Sequence, residues 1–195
     1  MRKENIDRKK LIEIFRKANR NFLRKNGILF ERRVSERTLC GALMIELNNI
    51  IQETDEYRGY FVDVEYNRNI GSKFRSLKKT CAGEKEEAIT INCDLLVHSR
   101  GQNLKLDNLI ALEMKKSNLS KKDKDNDKKR LKSLTMIGDY RLDDDGKKKF
   151  PENVCGYQLG IYYEINFNKQ KILIQYYYDA QERCTYEIDF LGQKI

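Results

Sequence analysis

A chain of 195 residues can bury about 70% of the surface its unfolded form exposes, so it needs neither disulfide nor metal to hold one domain together. Hydrophobic residues make up 39% and charged residues 35%, and Lys plus Arg outnumber Asp plus Glu by 39 to 30, leaving +9. A mean hydropathy of −0.76, with no run near the roughly 18 apolar residues of a membrane span, argues against a membrane protein and for a soluble, cytoplasmic one. The basic excess suits a polyanion, because Lys and Arg that displace counterions from phosphates give sequence-independent affinity; solubility alone is the other explanation. Cys40, Cys81, Cys93, Cys155 and Cys184 are odd in number, widely spaced and never in a C-x-x-C pair. That pattern argues against a disulfide framework and a zinc ribbon, and predicts small buried side chains in a reducing compartment. Met1 to Asn5 is charged, unlike the start of a secretory signal.

Residues 7–25 carry Leu11, Ile14, Phe15, Ala18 and Phe22 at helical spacing, with Arg8, Lys9, Lys10, Arg16, Lys17, Arg20, Arg24 and Lys25 between them. The spacing predicts a helix packed on the domain, basic side outward, where nucleic acid could lie. Ser35 is a plausible N-cap for a second helix to about Ile51, with Leu39, Leu43, Leu47 and Ile50 on one face. Glu36 falls at the first turn of that same face, an unfavourable place for a carboxylate without a partner. Two alternatives stay open: Glu36 favours the helix dipole, or it points to solvent at a frayed end.

Tyr60 to Tyr66 alternates as a half-buried strand should, and residues 68–87 form a polar loop or loosely ordered insert. Residues 89–98 become almost wholly apolar, as a central strand does, and Ser99 to Asn103 is turn chemistry. Leu109 to Lys115 is a second buried strand, the expected hairpin partner of the first. Beyond it, residues 115–132 are dominated by Lys with Asp interleaved, and Leu131, Leu134 and Ile137 suggest a helix beginning near Asp125–Asp127. Asp139 to Asn153, with the only proline at Pro151, reads as a loop. Two late strands, about 155–165 and 171–178, are rich in Tyr and Ile, and Cys184 to Phe190 is one more short strand. There is no internal repeat and no need for a second domain.

One constellation stands out. Asp94 lies in an apolar segment, where a carboxylate must be paired or bind a metal. Glu113 and Lys115 end the neighbouring apolar segment, and the period of two places both on one sheet face. In a hairpin both carboxylates reach one cation with the ammonium beside them, and hard oxygen ligands of this kind suit Mg²⁺ or Mn²⁺. Phosphodiester hydrolysis needs that grouping: a cation to offset phosphorane charge and activate water, and a lysine to hold the water or stabilise charge. A purely structural Asp/Glu/Lys salt-bridge cluster is the competing explanation. An isolated E-x-K is nearly worthless as a signal. Following a carboxylate in one apolar strand and a short turn, it is much less common.

Asp94 with Glu113-Met114-Lys115, together with Glu36 on the first core helix, resembles the PD-(D/E)XK (restriction-endonuclease-like) nuclease superfamily over roughly residues 35–165. The segments Ser35-Glu36-Arg37, Asp63 to Arg68 and Lys115-Lys116-Ser117 look like those of its small bacterial members. The resemblance implies an α/β fold with an αβββαβ core, a central mixed sheet flanked by helices, and an extra basic N-terminal helix. One domain would span 1–195, with a helical extension at 1–30, the core at 35–165 and C-terminal strands at 166–195. It implies a divalent-metal-dependent hydrolase acting on DNA, with RNA left open, in a restriction or phage-defence setting. Glu36, Asp94, Glu113 and the main-chain carbonyl of Met114 become metal or water ligands, and Lys115 completes the catalytic set. Cys93 stands where the motif usually has proline. Arg68, Lys116, Lys121, Lys122, Lys128 and Lys129, with Arg130, are candidate phosphate contacts or a solvated charge run. A homodimer would suit cleavage of both strands of a duplex. The alternative on the same fold is a catalytically inactive nucleic-acid- or protein-binding module. His98, the only histidine, shares strand parity with Asp94 but sits where histidines are more often structural. Glu65 is a candidate substrate contact or a surface ion pair, Asp127 caps its helix or reaches the site, and Tyr162, Tyr163, Tyr176, Tyr177 and Tyr178 are expected to pack in the core.

Overall fold

A computed structural model of the chain describes residues 8–65, 78–80, 88–90, 93–103, 106–136, 141–142, 148–149 and 156–195. The elements run α1 (Arg8–Lys25), α2 (Gly27–Glu31), α3 (Glu36–Glu53), a 3-10 turn (Asp55–Tyr57), β1 (Phe61–Val64), β2 (Lys78–Thr80), β3 (Ala88–Thr90), β4 (Leu95–His98) and β5 (Asn108–Lys116). They continue with α4 (Lys121–Leu134), β6 (Arg141–Leu142), β7 (Lys148–Lys149), β8 (Leu159–Asn166), β9 (Lys171–Tyr178) and β10 (Gln181–Asp189). Six strands form one sheet in the order β1-β4-β5-β8-β9-β10, while β2-β3 and β6-β7 are separate two-stranded ribbons. All neighbours in the large sheet are antiparallel except β5 and β8, which run parallel and require the crossover that carries α4.

Strand periodicity divides the core between two sheet faces. Leu95, Val97, Ile110, Leu112, Met114, Ile161, Tyr163 and Ile174 pack with α1 and α3, through Leu11, Phe15, Phe22, Leu39, Leu43 and Leu47. Leu96, Ala111, Tyr162 and Tyr177 form a smaller cluster with Leu131 and Leu134 of α4. The architecture is therefore α/β, a mixed sheet with helices on both faces. The basic helix α1 belongs fully to the core: Phe15 sets its ring edge-on to Tyr163 and Tyr176, and Tyr163 donates to Asn19 at 2.8 Å.

At the centre of the sheet, Gly160 leaves room for α4. A Cβ there would lie 3.0 Å from Thr135 Cγ2 and 3.1 Å from Tyr177 Cβ. Thr135 cannot turn aside freely, since its hydroxyl donates to the Leu131 carbonyl at 2.9 Å. Gly160→Ala is therefore expected to destabilise the fold by about 1–3 kcal/mol, through overpacking. Urea unfolding monitored by circular dichroism would show it, and an unchanged midpoint would mean that α4 is loosely seated.

Several expected boundaries move. Residues 89–98 are not one strand: Ala88–Thr90 pairs with Lys78–Thr80, and the central strand begins only at Leu95. The polar stretch at 68–87 contains that ribbon's first strand and otherwise lies outside the described residues, as does most of 139–153 apart from β6 and β7. The helix expected near Asp125–Asp127 starts at Lys121, because the Ser120 side chain caps it by accepting from the Asp123 amide at 3.1 Å. The final strand is nine residues long rather than a short one. Among the cysteines, Cys40 and Cys93 are buried, but Cys184 is exposed on edge strand β10; Cys81 and Cys155 lie outside the described residues.

Candidate active site

Glu36 is brought to the site by the cap of α3. The Ser35 side chain accepts from the Thr38 amide, which fixes the first turn. The Glu36 Oε1 atom then accepts from the Lys116 main-chain N–H at 2.7 Å, and Oε2 lies 3.9 Å from Lys115 Nζ. The helix end is thus tied to the last residue of β5. Both open alternatives for Glu36 give way to a partnered carboxylate.

Asp94 stands one residue before β4, not within a strand as expected. Pairing of β4 with β5 ends at Leu95 opposite Leu112, so Met114 finds no main-chain partner there. Asp94 supplies one: its Oδ2 accepts from the Met114 N–H at 2.8 Å and lies 3.7 Å from Lys115 Nζ. In a strand, the N–H and C=O of one residue point to the same side, so the Met114 carbonyl is directed toward Asp94's side of β5.

Glu113 is fully buried. Its Oε1 accepts from Arg130 Nη1 at 2.5 Å, while its Oε2 is buried without a hydrogen-bond partner. Asp127, one turn before Leu131 on the buried face of α4, accepts from the same Arg130 nitrogen at 2.9 Å and lies 3.5 Å from Lys115 Nζ. The structure therefore brings Glu36, Asp94, Glu113 and Lys115 together, as the sequence suggested, joins Asp127 to them and adds Arg130. Arg130 had been grouped with surface phosphate contacts; it is instead mostly enclosed and committed to Glu113 and Asp127.

The electrostatics follow from enclosure. Burial pushes the Glu113 carboxyl well above the usual carboxylate range, helped by the Asp94 charge and opposed by Arg130. Asp127 is raised too, by burial first, with Lys115 and Arg130 resisting. Burial alone would lower Lys115, but Asp94, Asp127, Glu113 and Glu36 together outweigh it and hold the ammonium above its ordinary value. Four carboxyl groups face two cationic side chains where water is scarce, and Glu113 and Asp127 hold their protons more tightly than ordinary carboxyl groups do. Among the described residues, no three acidic, histidine or cysteine side chains form a ready metal-ligand group.

Other candidates lie elsewhere. His98 is at the far end of β4, bonded to Asp63 at 2.9 Å, and Asp63 also pairs with Arg100. The Arg100 hydrogen bond holds the Asp63 carboxyl below its ordinary value, against burial and with help from His98. This is a structural ion-pair group. Glu65 pairs with Arg37 at 2.8 Å on the surface; Arg68 lies outside the described residues. Lys121, Lys122 and Lys129 are exposed on α4, whereas Lys128 rests its ammonium 4.8 Å from the Tyr162 ring centre. Lys116 turns away from Lys115, donating to the Arg33 carbonyl at 3.3 Å. The late tyrosines pack as expected, with Tyr162, Tyr163, Tyr176 and Tyr177 buried.

Arg130 is the site residue that sequence reasoning missed; of the two alternatives for Asp127, a helix cap or a place in the site, the structure gives the second. Asp127 precedes Leu131 by four and Leu134 by seven, spacing that places it on the apolar face of α4. Comparison of the chain with protein-family models, curated proteins and solved structures found no match.

Proposed function

We propose that this protein is a divalent-metal-dependent nuclease with a restriction-endonuclease-like core. The observation that carries the proposal is the meeting of Asp94, Glu113 and Lys115 around the end of β5, with Glu36 reaching them from α3. The order α3, β1, β4, β5, α4, β8 supports it, since it follows the αβββαβ pattern once the two ribbons are set aside. The donors fit Mg²⁺ or Mn²⁺: they are hard oxygens, one Glu113 oxygen is buried without a hydrogen-bond partner, and acidic groups outnumber the cationic side chains facing them. Asp94, Glu113 and the Met114 carbonyl would hold the ion, with Glu36 binding it directly or through water. Bound there, the cation supplies Lewis-acid neutralisation of phosphate charge and a lowered pKa for water.

The chain's own groups do the rest. Lys115, 3.5 to 3.9 Å from three carboxylates, is positioned to orient the attacking water and to stabilise charge developing on the phosphoryl oxygens. Arg130 fixes Glu113 and Asp127 in place, and the Lys116 amide holds Glu36. DNA is the favoured substrate, with Lys121, Lys122, Lys128, Lys129 and Lys116 contacting phosphates and Arg68 a further candidate; a homodimer would serve double-strand cleavage. One observation favours the second reading, a binding module that does not cut: Arg130 already occupies one oxygen of Glu113.

The test is cleavage of labelled single- and double-stranded DNA and RNA in EDTA, Mg²⁺ and Mn²⁺, with Asp94→Ala alongside wild type. Metal-dependent cleavage that Asp94→Ala abolishes is the expected result. No cleavage of any substrate, together with no metal uptake by calorimetry, would replace the nuclease with the binding module.

A further inference from the structure

On the other side of the β5 end, a half-open cavity of about 780 Å³ lies between α1, α2, the β8–β9 turn and the chain's last turn. Lys115 and Lys116 point to opposite faces of the sheet, because side chains alternate along a strand. Lys115 faces the carboxylates. Lys116 leads to the cavity: its ammonium sits 5.5 Å from the Phe167 ring centre and bonds the carbonyl of Arg33, and both residues line the cavity wall.

The floor is aromatic. Phe30 lies 4.8 Å from Phe190 and 6.4 Å from Phe167, centre to centre, and Phe167 is 6.1 Å from Phe190. Phe30 is buried, while Phe167 and Phe190 are each partly exposed. The rim is cationic, with Arg20, Arg24 and Arg33 against a single carboxylate, Glu31. Among the described residues the Arg33 side chain bonds a neutral partner alone, Asn168, at 3.1 Å. Arg20 and Arg24 make no ion pair or hydrogen bond among the described residues, unlike Lys10, Lys17 and Lys25 on the same helix, which pair with Glu56, Glu53 and Glu46. The wall is firm, because Asp189 accepts from the amides of Leu191 and Gln193 at 2.9 and 2.7 Å and so fixes the turn that carries Phe190.

We infer that this cavity is a nucleotide subsite, which takes one base of a single-stranded segment against Phe167 and Phe190 and its phosphate on Arg20, Arg24 and Arg33. Unpaired guanidinium groups suit phosphate, which they bind in a forked geometry. Partly exposed aromatic residues suit a base, which stacks on them without regard to sequence. The volume lies within the range of ordinary small-ligand sites. The inference rests on the nuclease reading for its role: a strand passing over the end of β5 from the carboxylate cluster meets Lys116 and then the cavity. The subsite would thus hold a nucleotide flanking the scissile bond.

The experiment separates the two. Binding of a labelled single-stranded oligonucleotide is followed by anisotropy in EDTA, where no metal-dependent cleavage interferes, using the full chain. Arg20→Glu and Arg24→Glu are exposed changes, compared with Lys17→Glu as a charge control on the same helix. Each pocket variant is expected to weaken binding about tenfold, against less than about threefold for the control. In parallel, AMP and ribose 5-phosphate are titrated while ring-proton shifts of Phe167 and Phe190 are recorded by NMR. AMP should bind roughly tenfold more tightly and move both rings, because the base adds stacking. If the wild type binds and loses affinity in both variants but cuts nothing, the subsite stands and the nuclease reading falls. If it cuts DNA or RNA while both variants bind like the control, or if AMP moves neither ring, the subsite is overturned. Wild-type protein that binds neither oligonucleotide nor AMP overturns it as well.

Discussion

Lys115→Met is expected to lower the cleavage rate by roughly 10²–10⁴-fold while leaving nucleic-acid affinity within a few-fold of wild type. Among the described residues the ammonium is the one cationic group within 4 Å of Glu36, Asp94 and Asp127 together. Methionine keeps the length and removes the donor and the charge. Those carboxylates lose a shared counter-charge, so metal affinity should hold or rise even as the rate falls. Single-turnover kinetics at saturating Mg²⁺, with metal binding by calorimetry, distinguishes this from collapse of the site. A rate within tenfold of wild type would remove Lys115 from the chemistry and leave it as a structural cation.

Arg130→Ala is expected to cost about 3–5 kcal/mol of stability, because it leaves a buried carboxylate without its partner. Glu113 is wholly enclosed, and among the described residues Arg130 is the one hydrogen-bond partner of its carboxyl group. Adding Glu113→Gln should recover most of the loss, since a neutral amide needs no counter-charge. Glu113→Gln alone should act the other way. The folded-state pKa of Glu113 lies above its ordinary 4.5, so the folded chain holds a proton that the unfolded chain releases. Its stabilising contribution is complete below about pH 4.5 and is lost as pH rises toward the folded value. In metal-free protein, Glu113→Gln should therefore raise the melting temperature at neutral pH and flatten its decline above pH 4.5. Mg²⁺ should stabilise wild type and not the variant. Thermal melts across pH, with and without Mg²⁺, test all three expectations. Equal melting behaviour of wild type and Glu113→Gln in EDTA would show that Glu113 is ionised without penalty.

Much of this site can be read from residue order alone, for a physical reason. A carboxylate inside an apolar run is costly, so Asp94 and Glu113 are conspicuous against Leu95-Leu96-Val97 and Leu109 to Leu112. Ser35 marks the start of α3, and that start locates Glu36. The half of the cluster on α4 is hidden by its composition. Between Lys121 and Arg130 charged residues occupy nearly every position, so the helical period shows only through Leu131 and Leu134, and the committed pair Asp127–Arg130 looks like part of a solvated run. The Ser120–Asp123 spacing was the available signal for the helix start. Strand limits near Asp94 escaped for another reason. Ile89 and Leu95 to Val97 share the same apolar character, but a change of pairing partner, from β2 to β5, is decided by tertiary contacts that a local pattern does not contain.

Because β5 and β8 run parallel, their pairing must wait until the whole crossover from Ser117 to Gln158 has been closed. Loop closure of that length is an entropic cost met before any contact rewards it, whereas the β4–β5 and β8–β9 hairpins close locally. A nascent or refolding chain can therefore form the hairpin that bears Asp94, Glu113 and Lys115 early, yet Asp127 and Arg130 arrive only when α4 is seated on the face of the paired β5 and β8. Until then Glu113 is solvated and protonates like any other glutamate. Assembly of the charged cluster is tied to the slowest pairing in the sheet, and recovery of activity during refolding should follow that last kinetic phase.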